Sequence, residues 1–293
     1  MAEAITRKAF VAGAGAVAVG AALVAAGCGG GGEPELGAQL VARKVAGPLP
    51  VSDPTSDAWT GEGETLLQLT AQTIARPGLT AASVPEVRVA ALHDGDTLAF
   101  RASWAEDAAA QIDGLGQFHD ALAVMLPGAS REEPPITMGG PGKPVHLMQW
   151  RGSWQLDVDD GKRVSVEQIY PNVVHDLLPA QILPPKTAVL WTPGRAVGNP
   201  MSALREGSPV EDVIAEGFGS TTHAPVQTAT GRGVFTDGRW WVTVATPMKR
   251  GSGLVDIMGG LYWPVAFAVW SGTAGNRGGR KQYTPWASML VEA

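Results

Sequence analysis

The feature that most constrains this chain is a pair of strand-forming runs, Val87–Ala91 and Leu98–Trp104, set either side of His93-Asp94-Gly95-Asp96. An Asp-Gly step supplies the positive φ angles of a tight turn, so the two runs predict a β-hairpin. The same arrangement recurs at Asp237-Gly238 within Gly233–Thr246. Further strands are expected at 39–45, 64–72, 120–127 and, last in the chain, 265–271. The stretch 120–127 is almost continuously apolar and so should be buried on both faces. The segment from Ser208 to Gly217 reads as a helix, opened by Ser-Pro and acidic residues and stopped by glycine. A short helical piece is expected at 173–178, inside a polar, irregular interval from 157 to 185. With 38 glycines, 22 prolines and ten tryptophans, the composition is that of many turns between short strands with aromatic anchors. The expected fold is mainly β: an antiparallel β-sandwich with a few short helices and a pocket formed by loops at one end.

The start of the chain reads as a targeting segment. Arg7-Lys8 precedes an apolar run from Ala9 to Ala26 that ends in Leu23-Val24-Ala25-Ala26-Gly27-Cys28, a lipobox. Residues 1–28 are therefore expected to be a lipoprotein signal peptide, with Cys28 as the lipidated first residue of the mature chain. Residues 29–38, opening with Gly29–Gly32, form a flexible tether, and 39–293 the domain itself. A plain membrane helix is the competing reading, but the run is rich in Gly and Ala and leads directly into the glycine tether. Thr6–Val11 also resembles a twin-arginine signal with lysine in the second basic position. The protein is then exported and lipid-anchored on the outer face of the cytoplasmic membrane.

Composition removes several functions. With its one cysteine at position 28, the domain has no thiols for disulfides, iron–sulfur clusters, cysteine zinc sites or thioether-linked haem. A net charge of −6 and a pI near 5.4, without Lys/Arg clusters, argue against nucleic acid as a partner. The five histidines, at 93, 119, 146, 175 and 223, have no metal-site spacing, and His93 falls in a turn. No Gly-x-Ser-x-Gly elbow is present, and Gly275–Gly279 does not follow a nucleotide-binding pattern.

The stretch Pro134–Trp150 is different in kind. Met138 stands in a Pro/Gly-rich loop, Ile136-Thr137-Met138-Gly139-Gly140-Pro141-Gly142-Lys143-Pro144-Val145, in front of a strand ending in Trp150. Glycines there let a flat ligand approach the backbone. This loop resembles that of the haem-binding subunit of ethylbenzene dehydrogenase, dimethylsulfide dehydrogenase, and selenate and chlorate reductases. The likeness extends over the Val87–Trp104 hairpin, Phe118–Val124, the segments Gly198-Asn199-Pro200 and Ala215-Glu216-Gly217-Phe218-Gly219, and runs from about Val41 to the C-terminus.

The resemblance implies a non-catalytic, b-type haem subunit, with Met138 as one axial ligand of the iron. It points to the segment Gly278–Trp286 for the second, where Lys281 can serve. Lys249 is a weaker candidate of the same type, and His146 or His223 are alternative ligands, since imidazole is a common iron ligand. The implied partners are the molybdenum catalytic subunit and iron–sulfur subunit of an oxidoreductase complex, together with a redox carrier such as a cytochrome c or quinone-linked protein. A rival of another class is a surface lipoprotein whose sandwich binds carbohydrate or protein through its tryptophans.

Overall fold

The computed structural model describes residues 38–59, 63–174, 193–197, 199–251 and 253–293. The first hairpin forms where expected: β4 (Glu86–His93) pairs antiparallel with β5 (Thr97–Ala105). The Asp94 carboxylate accepts the N–H groups of Asp96 and Thr97 at 2.9 and 2.7 Å, holding the turn. The second hairpin, β10 (Thr230–Thr236) and β11 (Arg239–Pro247), turns on Asp237 (φ 52°) and Gly238 (φ 69°), the two left-handed residues that a type I′ turn requires. Strand β11 docks antiparallel on β5. On its other edge β4 takes β2 (Thr65–Gln68), antiparallel, and β1 (Leu40–Lys44), parallel. Strand β1 also lies parallel to β14 (Ala287–Val291), so the first layer is mixed.

The second layer begins within β12 (Leu261–Trp270), which serves both layers. Its first half, Leu261–Val265, pairs with β14; its second half, Ala266–Trp270, pairs with β6 (Ala121–Pro127). From β6 the layer continues through β7 (Val145–Arg151) and β8 (Val210–Ala215) to β9 (Thr222–His223). The other edge of β12 carries β13 (Gln282–Tyr283), which in turn pairs with β3 (Thr70–Ala71). The result is a mainly β sandwich with short helices.

Alternation fills the space between layers. Leu122, Val124, Leu126, Met148, Trp150, Phe267 and Val269 of the second layer share one core with Phe100, Trp104, Trp240 and Val242 of the first. Trp150 meets Trp240 edge-on at 4.9 Å between ring centroids, and Trp104 lies 6.4 Å from each. A Cβ on Gly233 would lie 2.3 Å from the Trp150 ring, so β10 passes there only as glycine. The Trp240 indole donates to buried Asp120 at 2.8 Å, and Asp120 also accepts the Ala110 and Gly272 N–H groups at 2.7 Å. None of the described tryptophans is exposed.

Five expectations change. Ser208–Gly217 is not a helix: Val210–Ala215 is strand β8, held between β7 and β9. Its acidic residues face partners instead of a helix N-terminus. Asp212 bonds His146, and Glu211 bonds Arg151 and His223. The expected single strand 64–72 breaks at buried Leu69 and feeds both layers, as β2 and β3. Strand 265–271 starts earlier, at Leu261, and is followed by β13 and β14. A helix, α1 (Gly152–Asp160), opens the interval expected to be irregular; it buries Trp154 and ends at Gly161 (φ 64°). His93 ends strand β4, buried, instead of sitting in the turn. Of the helical piece at 173–178, Val173 closes a turn onto Tyr170, and 175–178, with His175, lie outside the described residues.

Candidate functional site

The outward face of the second layer is floored by small residues. Ala121 and Ala123 on β6 and Ala266 and Ala268 on β12 point away from the core, and Ala123 and Ala268 are direct cross-strand partners. Large inward residues, Leu122, Val124, Phe267 and Val269, alternate with them. The outcome is a flat, shallow floor. Loops wall it into a cavity of about 660 Å³ lined by these alanines, Leu147, Val213, Met138 and Lys281 among others. This volume lies within the range of small-molecule and cofactor sites. As expected, loops close the pocket, but its base is the sheet.

Met138 enters from one wall. It stands at φ 65°, a left-handed conformation that a side-chain-bearing residue adopts at a cost of roughly 1–2 kcal/mol. Neighbouring bonds impose it. The Gly139 N–H bonds the Pro135 carbonyl at 2.8 Å, and the Met138 carbonyl accepts from Gly217 N–H at 2.8 Å. Gly139 (φ 81°) has no room for a Cβ, which would fall 2.5 Å from the Lys143 carbonyl oxygen. The glycine therefore fits the loop against its own β7 strand. Gly140 and Lys143 exchange backbone hydrogen bonds across Pro141-Gly142, with Gly142 at φ 70°, as a type II turn demands. The Trp286 indole donates to the Pro134 carbonyl at 2.8 Å, tying the base of this loop to the segment that carries Lys281.

Lys281 enters from the opposite wall, one residue before β13. Gln72 fixes its backbone: Gln72 N–H bonds the Lys281 carbonyl at 2.8 Å, and Gln72 Nε2 donates to the Gly279 carbonyl at 2.7 Å. A Cβ on Gly279 would sit 2.9 Å from the Pro77 carbonyl oxygen. The Lys281 amine lies 3.5 Å from Met138 Sδ and 5.1 Å from the centre of the Trp270 ring. Its half-buried surface faces the cavity. Burial lowers the amine from 10.5 to about 8. A thioether is a weak acceptor, and the amine forms no salt bridge with a described carboxylate.

The other candidates lie elsewhere. His146 points into the sandwich on the face shared with Met148 and Trp150; it is buried and bonded through Nε2 to Asp212 at 2.8 Å. Burial alone would raise the Asp212 carboxyl, but His146 and the Ala229 and Thr228 N–H groups hold it below the usual range. His223 lines the cavity at β9, its Nδ1 held 2.8 Å from Glu211 Oε1. Lys249 is exposed in the segment after β11, away from the cavity lining. Cys28 lies outside the described residues. Among the described residues no group of three His, Cys, Asp or Glu is placed to hold a bare metal ion, and no helix is long and apolar enough to cross a membrane.

The cavity floor grades in polarity along the strands. Near Met138 it is apolar, with Val145, Leu147, Met125, Val213 and Ala215. Two residues further along each strand come Ala123, Gln149 and Glu211, and beyond them Trp270, Ala121 and Arg151. Gln72, Arg151 and the alanine floor are absent from the sequence-based expectations.

Residues 56–167, which include the first hairpin, the floor strands β6 and β7 and the Met138 loop, match the model of the ethylbenzene dehydrogenase family. Over those residues the chain is similar to this family. It is 24% identical over 262 residues to a protein of Haloferax mediterranei described as a respiratory nitrate reductase haem subunit, covering 86% of this chain and 75% of that one. Solved structures similar in arrangement include a family 9 carbohydrate-binding module of Caldicellulosiruptor kristjanssonii in complex with glucose (6% identity, TM-score 0.41, 87% of this chain and 95% of that chain). A protein of Bacteroides uniformis described as carbohydrate-binding aligns at 10% identity and TM-score 0.42, over 86% and 98% of the two chains.

Proposed function

We propose that this protein is a haem b electron-transfer subunit of that family, in which Met138 and Lys281 are the two axial ligands of the iron. The observation that carries the reading is the meeting of a soft thioether and a neutralisable amine, from opposite walls, over a flat alanine floor. The donor set fits a haem. Lysine binds iron only as the free amine, and burial lowers Lys281 toward that form, from 10.5 to about 8. Gln72, Gly139 and the Trp286–Pro134 bond fix both ligand-bearing loops to the sheet, so the pair is preorganised. A haem with both axial positions taken relays electrons, and thioether ligation raises its potential.

On this reading the chain is not itself the catalyst. It passes electrons between the iron–sulfur subunit of a molybdenum oxidoreductase and an external carrier such as a cytochrome c or quinone-linked protein. The match to the family model and the haem-subunit description of the Haloferax relative support this role. Export and an acylated Cys28 would place the complex on the outer face of the cytoplasmic membrane, a reading that rests on the lipobox alone. The test is the visible spectrum: Met138→Ala and Lys281→Ala should each disturb or abolish the haem bands, and Lys249→Ala should not. A wild-type spectrum and potential in Lys281→Ala, with loss on substituting His146 or His223, would overturn the ligand assignment.

A further inference from the structure

Arg151 ends β7 at the polar end of the cavity floor, and its hydrogen-bonding capacity is incompletely used. Its Nη2 is divided between Gln149 Oε1 at 3.1 Å and Glu211 Oε2 at 3.2 Å. Its Nη1 meets the Met201 thioether, a poor acceptor. Its Nε is buried and has no acceptor among the described residues. The guanidinium plane is nevertheless fixed, stacked 4.2 Å from the Trp154 ring, which Arg205 also covers at 4.5 Å. Arg151 pairs with one carboxylate, Glu211, which His223 also engages, and Arg205 donates to the Ser208 and Val210 carbonyls. The nearby Asp113 is held by His119 at 2.6 Å. A rigid, partly buried cation with spare donors on a cavity floor calls for an anion.

Haem b has one apolar edge of vinyl and methyl groups and one edge with two propionates. The floor has the same asymmetry, apolar beside Met138 and cationic at Arg151. We propose that Arg151 is the anchor for the carboxylate edge of the porphyrin and fixes its in-plane orientation between the ligand-bearing walls. This rests on the haem reading above. Trp154 and Arg205 position the guanidinium and touch no ligand. The exposed Arg277, which stacks on Phe118 at 4.3 Å at the cavity margin and donates to the Gly275 carbonyl, is not the anchor.

The test is an equilibrium titration of the haem-free protein with haemin and with haemin dimethyl ester, which lacks both carboxylate charges. The Soret band and circular dichroism are read together. Wild type should prefer haemin by at least about tenfold, equivalent to 1.4 kcal/mol. Arg151→Met should bind the ester as wild type does and lose the preference, while Arg277→Met keeps it. If Arg151→Met does not fold, Arg151→Lys and Arg151→Gln decide, the first retaining a preference for haemin and the second losing it. Equal binding of both compounds by wild type overturns the anchor while leaving the haem assignment standing. A preference that survives in Arg151→Met, is the same in Arg151→Lys and Arg151→Gln, or disappears in Arg277→Met also overturns it. Failure of wild type to bind either compound overturns the haem assignment and the anchor with it.

Discussion

Replacing Lys281 with leucine should stabilise the haem-free protein and disable haem binding. In the folded protein the amine titrates near 8, against 10.5 without burial. Between those two values the unfolded chain holds a proton that the folded chain has released, so stability rises with pH across that window. Below about pH 8 both states are protonated, and the fold carries the whole cost of a buried ammonium. The separation of the two values makes that cost about 3 kcal/mol. Leucine removes the charge and keeps apolar contact with the alanine floor and Trp270. Urea denaturation of the haem-free Lys281→Leu protein at pH 7 should therefore show a gain of up to about 3 kcal/mol over wild type. The gain should shrink toward zero as pH rises through the window, and comparison with wild type cancels the other titrating groups. In wild type, haemin affinity should fall about tenfold per pH unit below pH 8 and level off above it, because the iron competes with a proton for the amine. A less stable haem-free variant with an unchanged pH slope, or haem bands like those of wild type, would refute the reasoning.

Gly139→Ala should cost roughly 2 kcal/mol or more, because its Cβ meets the Lys143 carbonyl at a backbone angle suited to glycine, and should weaken haem retention; thermal melts with and without haem check it. Asp120→Ala leaves two amide N–H groups and the Trp240 indole without their acceptor in the core, at a cost of roughly 3 kcal/mol or more measured by urea denaturation. Cys28→Ser should move the protein out of the membrane fraction of its own cells; an unchanged fraction removes the lipid anchor from the account.

Much of the fold was legible because its strongest signals are local. The two Asp-Gly hairpins depend on backbone angles that Asp237, Gly238 and Gly95 supply themselves. The helix read into 208–217 failed because acidic residues after Ser-Pro have two explanations in sequence. Glu211 and Asp212 serve Arg151, His223 and buried His146, contacts set by a strand register that only tertiary pairing fixes. The late strands β13 and β14 are short and interrupted by Thr284-Pro285, and they exist because β12 offers them open edges.

At the site, Met138 stood out because a large apolar side chain is rare among glycines. The 3.5 Å approach of Lys281 joins residues 143 positions apart and was foreseen only through the family resemblance. The floor was written in the sequence and overlooked. Ala121-Leu122-Ala123-Val124 and Ala266-Phe267-Ala268-Val269 alternate small with large at period two, a strand with a bulky face and a bare one. Reading 120–127 as buried on both faces was right about burial but did not distinguish a packed face from one that leaves room for a ligand.

The central claim is tested most directly by the absorption spectrum of the purified protein, oxidised and dithionite-reduced, followed by haem extraction into acidified acetone. The account predicts a Soret band, a sharp α band on reduction, and one extractable b-type haem per chain. A protein with no visible chromophore, even after incubation with haemin, would contradict it.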